Sequence, residues 1–115
     1  MILNATSYNK YKPPPTISLN TKNRNIILGV AVIRHLKLQP FDTLSFSKIK
    51  GKWYLHKCEN GFTVLSGGNN TNLRINNAEA VRVLSKEFGV CKLLVSLTPT
   101  FIEFENYYEL KKQGI

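Results

Sequence analysis

Acid is scarce in the first half of this 115-residue chain, where Asp42 is the only Asp or Glu before Glu59. Cysteine is scarce throughout. Cys58 and Cys91 are too few for a disulfide framework, and neither has a Cys or His neighbour at metal-ligand spacing, so both read as reduced, small apolar residues. No apolar run approaches the length of a bilayer span, and Met1 to Lys12 lacks the apolar stretch of a secretory signal. These absences predict a cytoplasmic protein without a membrane partner. His35 and His56 are the only histidines, and Gly67-Gly68 lacks the Lys and the following helix that a phosphate-binding loop needs. The sequence therefore offers no catalytic group, no metal site and no cofactor site, and the expectation is a protein that is not an enzyme.

What is present is ordinary in amount and unusual in placement. The chain is 43% hydrophobic and 20% charged, which suits a soluble globular domain, and its length suits one core. Its formal charge is +9. Residues 1–58 hold ten Lys or Arg against Asp42, a net of nine, whereas residues 59–115 hold six of each sign. A basic balance can serve solubility alone; segregation into one half points instead to a polyanionic partner.

Along the chain, residues 1–15 carry no periodic apolar pattern and end in Pro13-Pro14-Pro15, which predicts a flexible basic arm with a stiff joint. Its Tyr8 and Tyr11 either lie on a partner or belong to a disordered end. From residue 16 to 115 the pattern predicts a single domain. Ile17 and Leu19 alternate with polar neighbours, Thr21 to Arg24 supplies turn residues, and Asn25 leads into Ile26-Ile27-Leu28, a β-hairpin signal. Val32, Ile33 and Leu36 then recur at helical spacing. Pro40 and Asp42 turn the chain into a strand with Leu44 and Phe46, and Trp53 to Lys57 forms its return strand after the run Lys48-Ile49-Lys50-Gly51-Lys52.

The same order follows again. Phe62 to Leu65 reads as a strand, Gly67 to Thr71 as a turn and Asn72 to Ile75 as the return strand. Asn76 is placed to cap a helix, with Glu79 three residues on; Val81, Leu84 and Phe88 give the helix its apolar face, and Gly89 closes it. Leu93, Val95 and Leu97 form a strand, Pro99 interrupts, Phe101 to Phe104 and Tyr107 to Leu110 finish the sheet, and Lys111 onward is a polar tail. Leu28 corresponds to Ile75, Ile33-Arg34 to Val81-Arg82, and Ser45-Phe46 to Ser96-Leu97. The pattern predicts two tandem repeats, 16–58 and 61–112, sharing one core in a mainly β, α+β fold with two short helices.

Asn25-Ile26-Ile27-Leu28, the run Ile33 to Leu38, Asp42-Thr43-Leu44-Ser45-Phe46 and Trp53-Tyr54-Leu55 together resemble the AbrB-type, or swapped-hairpin, transcription regulators and the related MazE-type antitoxins. Those families usually carry Pro where this chain has Gly29, Gly-Arg where it has Arg24-Asn25, and Gly where it has Lys37. The resemblance implies a small barrel that family members build from two chains and that a duplicated chain would close alone, as a monomeric pseudo-dimer rather than a swapped homodimer. It also implies that hairpin turns and helix starts face double-stranded DNA.

On that reading Lys22, Arg24 and Arg34 hold phosphates, while Asn23 and Asn25 read a base edge or bond a phosphate. A solvated hairpin tip accounts for the same residues at the turn. Lys48, Lys50 and Lys52 either track a phosphate backbone from one side of a strand or protect a sheet edge. Trp53 and Tyr54 suit core packing better than base stacking. The expected function is a non-enzymatic DNA-binding domain of a small regulator, and the alternative is an antitoxin-like protein-interaction module with a protein partner.

Overall fold

A computed structural model describes residues 14–66 and 73–112. The expected arm up to residue 13, the turn over 67–71 and residues 113–115 lie outside them. Among the described residues, ten strands and two helices follow in the order β1 (Thr16–Asn20), β2 (Asn25–Leu28), α1 (Val30–Leu36), β3 (Thr43–Ile49), β4 (Lys52–Lys57), β5 (Phe62–Thr63), β6 (Leu65–Ser66), β7 (Leu73–Asn76), α2 (Ala78–Phe88), β8 (Lys92–Val95), β9 (Thr100–Ile102) and β10 (Glu105–Lys112).

Every strand pair is antiparallel. The lateral order is β5-β3-β4-β10-β8-β1-β2-β7-β6, with β9 added beside β10. The first and last strands of that path, β5 and β6, are separated in the chain by Val64 alone. The sheet thus curls back on itself as a nearly closed barrel. At Val64 the chain passes from pairing with β3 to pairing with β7: its N–H donates to the Asp42 carbonyl at 2.8 Å, and its carbonyl accepts from the Phe41 N–H at 2.7 Å. The expected continuous strand Phe62 to Leu65 is therefore bent, because one residue must serve two sheets at a barrel corner.

Strand alternation fills the interior. Ile17, Leu19, Ile26, Leu28, Leu44, Leu55, Ile75, Leu93, Val95 and Leu110 form one buried cluster with Val32 and Leu36 of α1 and Ala80, Val81 and Leu84 of α2. Both halves of the chain thus contribute to one core. The helix α2 packs on β1 and β2, and α1 packs on β1. Phe46, Trp53 and Tyr108 are partly buried against the cluster, and Tyr54 is buried, in keeping with core aromatics.

Several boundaries differ from expectation. The cap of α2 is Asn77, whose Oδ1 accepts from the Ala80 N–H at 2.8 Å, because Asn76 is held in the sheet opposite Asn25. Leu97 falls outside β8, which ends at Val95 before Pro99. Lys111 and Lys112 are not a tail: they pair with Leu94 and Leu93, so the last strand needs them for its register on β8. Glu103 and Phe104 form a two-residue turn with φ of 49° and 66°, so the strand expected over Phe101 to Phe104 ends at Ile102. Gly29 has a specific reason to be glycine. Its N–H donates to the Thr16 carbonyl at 2.9 Å, and a Cβ there would lie 2.5 Å from that oxygen. Proline would lose the donor as well.

Candidate nucleic-acid interface

Thr21 to Arg24 joins β1 to β2, and the Asn20 Oδ1 accepts from the Asn23 N–H at 2.9 Å, a local side-chain bond that ties the turn. Arg24 completes the reversal in the left-handed region, at φ 57°. Lys22, Asn23 and Arg24 are exposed. Asn25 is not part of the tip. It pairs with Asn20 on one side and Asn76 on the other, half-buried, and its Oδ1 has no hydrogen-bond partner among the described residues.

This turn lies beside the start of α2, not of α1. Thr21 and Arg24 line a cleft of about 370 Å³ with Ala78, Val81, Arg82 and Ser85. Arg82 is ion-paired with Glu79 one helical turn back, which holds the Glu79 carboxyl below its ordinary 4.5. Unanswered positive charge at this face therefore comes from Lys22 and Arg24. Arg34 sits elsewhere: it is exposed in the last turn of α1, which begins at the opposite end of β2. Four strand residues separate the two by roughly 13 Å. The turn and Arg34, grouped together in the sequence reading, are not adjacent.

The run Lys48 to Lys52 is a hairpin tip and not one strand. Lys50 and Gly51, at φ 51° and 82°, form the two-residue turn that reverses β3 into β4. Lys48 pairs with Trp53 and Ile49 with Lys52, which puts Lys48 and Lys52 on opposite faces of the ribbon. The three lysines cannot track a backbone from one side. Lys48 is also engaged: its ammonium donates to the Glu87 carboxylate at the end of α2. That hydrogen bond, with a smaller contribution from the nearby Trp53 indole, holds the Glu87 carboxyl below 4.5. The indole N–H makes no well-formed hydrogen bond of its own. Lys50 and Lys52 remain exposed and unpaired among the described residues.

A feature that strand and helix patterns do not reveal is where the chain adopts positive φ without glycine. Six described residues do so: Arg24, Lys37, Phe41, Lys50, Glu103 and Phe104. Three are cations from the basic half. Lys37 closes α1 at φ 53° and ψ 48°, its N–H donating to the Arg34 carbonyl while the Leu38 N–H donates to that of Ile33, the pattern usually built around glycine. Apolar periodicity carries no signal for these conformations, since none of the six is glycine.

Two other features also escape sequence inspection. Phe41, Phe101 and Phe104 are 77%, 67% and 91% exposed, and the last two meet edge to face at the tip of the β9–β10 hairpin. His56 is buried, shares a 2.8 Å hydrogen bond with the Ser47 hydroxyl through Nε2 and stacks on Tyr107 at 4.1 Å. Burial, then the carboxylates of Glu105 and Glu103 and the Cys58 thiol, push the Tyr107 hydroxyl above 10.0. Among the described residues no group of three or more His, Cys, Asp or Glu is arranged to hold a metal ion, and no helix is long and apolar enough to cross a membrane. No known protein family, curated protein or solved structure matches the chain.

Proposed function

We propose that the chain is a non-enzymatic domain that binds double-stranded DNA as part of a small transcription regulator, with phosphate contacts from the basic first half. The observation that carries this reading is the placement of Arg24 and Lys50, two exposed cations of the basic half, in left-handed backbone at hairpin tips. A side chain bearing Cβ costs on the order of 1 kcal/mol there relative to glycine. Selection for stability alone would favour glycine at such turns. A cation at both hairpin tips is the expected trace of a requirement for charge.

The tandem swapped-hairpin architecture belongs to the same proposal. Around the barrel, the first strand of each half lies beside the third long strand of the other: β1 pairs with β8, and the strand split as β5 and β6 pairs with β3. The second strands meet as β2 and β7, and the last as β4 and β10. Exchanging the halves leaves this order unchanged, as expected of a duplicated element closing a barrel within one chain. It also explains why the basic turn of the first half borders the helix start of the second.

Fluorescence anisotropy with a labelled duplex of about twenty base pairs, over a series of salt concentrations, tests the function. Affinity falls steeply with salt, and replacing Lys22 and Arg24 together by Gln lowers the log–log slope by roughly 1.8. Undetectable binding at low salt, or binding indifferent to salt, refutes it. A second reading, a protein-interaction module, draws on the exposed Phe101 and Phe104. It requires that Phe101→Ser with Phe104→Ser abolish association with a co-purifying protein while DNA affinity stays unchanged.

A further inference from the structure

The left-handed Lys37 opens onto a cleft that the DNA reading does not use. At the end of α1, His35 and Lys37 face Lys57 at the end of β4 and Glu105, Asn106 and Tyr108 of β10 around a space of about 390 Å³. That volume is within the usual range for small-ligand sites. Three separate segments, the α1 terminus, β4 and β10, supply its walls. Among the described residues the ion pairs are Lys48–Glu87 and Arg82–Glu79, so Lys37 and Lys57 make none there, although Glu105 lines the same space. One wall is aromatic: Tyr108 meets the His35 ring edge to face at 5.9 Å.

The chemistry divides the cleft. Lys37 and Lys57 present two ammonium groups that match the charge of a phosphate dianion. Glu105 repels a phosphate but accepts hydrogen bonds from hydroxyl or amino groups, and the Asn106 carboxamide both donates and accepts. Tyr108 and His35 offer ring surface to a planar group. Beyond Lys57 and Glu105 a second cleft turns acidic, with Asp42 and Glu59 on its walls, which confines an anionic group to the α1 side. The backbone supports the same assignment, because Lys37 occupies a conformation that glycine adopts without strain, and its side chain is what glycine would remove.

We propose that this cleft binds a small phosphate monoester carrying a planar ring, of mononucleotide size, with the phosphate on Lys37 and Lys57 and the ring against Tyr108. The site is independent of the Lys22–Arg24 turn. Isothermal titration of the full chain with adenosine monophosphate, adenosine and inorganic phosphate tests it. The monophosphate binds one to one, and each fragment alone binds roughly tenfold more weakly or worse.

Lys37→Gly separates function from structure. It raises the melting temperature by releasing the left-handed side chain and weakens the monophosphate roughly tenfold. Lys57→Gln weakens it similarly, and Lys86→Gln, exposed on α2 outside the cleft, leaves affinity unchanged. The proposal is overturned if the monophosphate fails to bind at millimolar concentration, or if Lys37→Gly stabilises the fold with no loss of affinity. It is equally overturned if Lys22→Gln with Arg24→Gln removes the monophosphate, since the ligand would then occupy the turn assigned to DNA. Loss of duplex binding in that double variant with the monophosphate retained keeps the two readings distinct.

Discussion

Each of the two described helices ends in a left-handed residue beside a β-ribbon, and the two ends are handled differently. At the end of α2 the left-handed residue is Gly89, at φ 69°, and the last turn supplies Glu87, which takes up the charge of Lys48 from the facing ribbon. At the end of α1 the left-handed residue is Lys37, the last turn adds Arg34, and Lys37 shares a cleft with Lys57 and Glu105. One end closes on glycine and pairs the lysine that faces it; the other closes on a lysine in left-handed backbone. Similar backbone geometry thus serves cohesion in one half and exposed charge in the other. The excess charge that residues 1–58 carry is left unanswered where the chain tolerates strain to keep it.

The comparison can be broken most forcefully at what the halves share. Leu55→Ala in the first half and Leu84→Ala in the second each empty part of the same core, and each should cost about 2–5 kcal/mol. Urea unfolding followed by circular dichroism and by Trp53 fluorescence should give one coincident transition in both variants. Two separated transitions would mean that the halves unfold independently. The next largest effect is expected at Gly29, where alanine places a Cβ 2.5 Å from the Thr16 carbonyl oxygen. Because that neighbour is backbone, the entry to α1 must shift, at about 1–3 kcal/mol.

Exchanging the two helix closures sharpens the contrast directly. Lys37→Gly should raise stability by about 0.5–1 kcal/mol, and Gly89→Lys should lower it by about 1 kcal/mol, both measured by thermal melting. Equal and negligible effects would remove the strain argument for Arg24 and Lys50 as well. The smallest effect is expected from acid titration of the Lys48–Glu87 pair. Glu87 has its folded value depressed below 4.5, so its contribution is present above that pH and is lost as pH falls through the lower folded value. Glu87→Gln should remove that part of the acid dependence while leaving neutral stability nearly unchanged, since both groups are exposed to solvent.

Much of this architecture was legible because it depends on local periodicity. The alternation of Ile17 and Leu19, the helical spacing of Val32 and Leu36, and the pair Pro40 and Asp42 place strand, helix and turn correctly, and the Asp42 carboxylate does accept from a nearby backbone amide, that of Gln39, at 2.8 Å. Where two neighbours could fill one role, spacing did not choose between them. Asn76 and Asn77 are both able to cap α2; pairing with Asn25 draws Asn76 into the sheet and leaves the cap to Asn77. The candidate site was legible as a list of cations and not as an arrangement. Lys48 looked free because its partner, Glu87, lies 39 residues away. Lys37 is legible only as one more cation after a helical run, because its cleft needs Lys57 and Tyr108 from distant strands.

By itself the sequence determined the order of hairpins and helices, the apolar face of each element and the confinement of excess charge to the first half, because each depends on residue type and short-range spacing. The tertiary structure alone decided that a single residue, Val64, turns the sheet back on itself, that the basic hairpin borders the helix of the other half, and which lysines keep their charge unanswered. Those outcomes depend on strand register and on contacts between segments far apart in the chain, which no local pattern encodes.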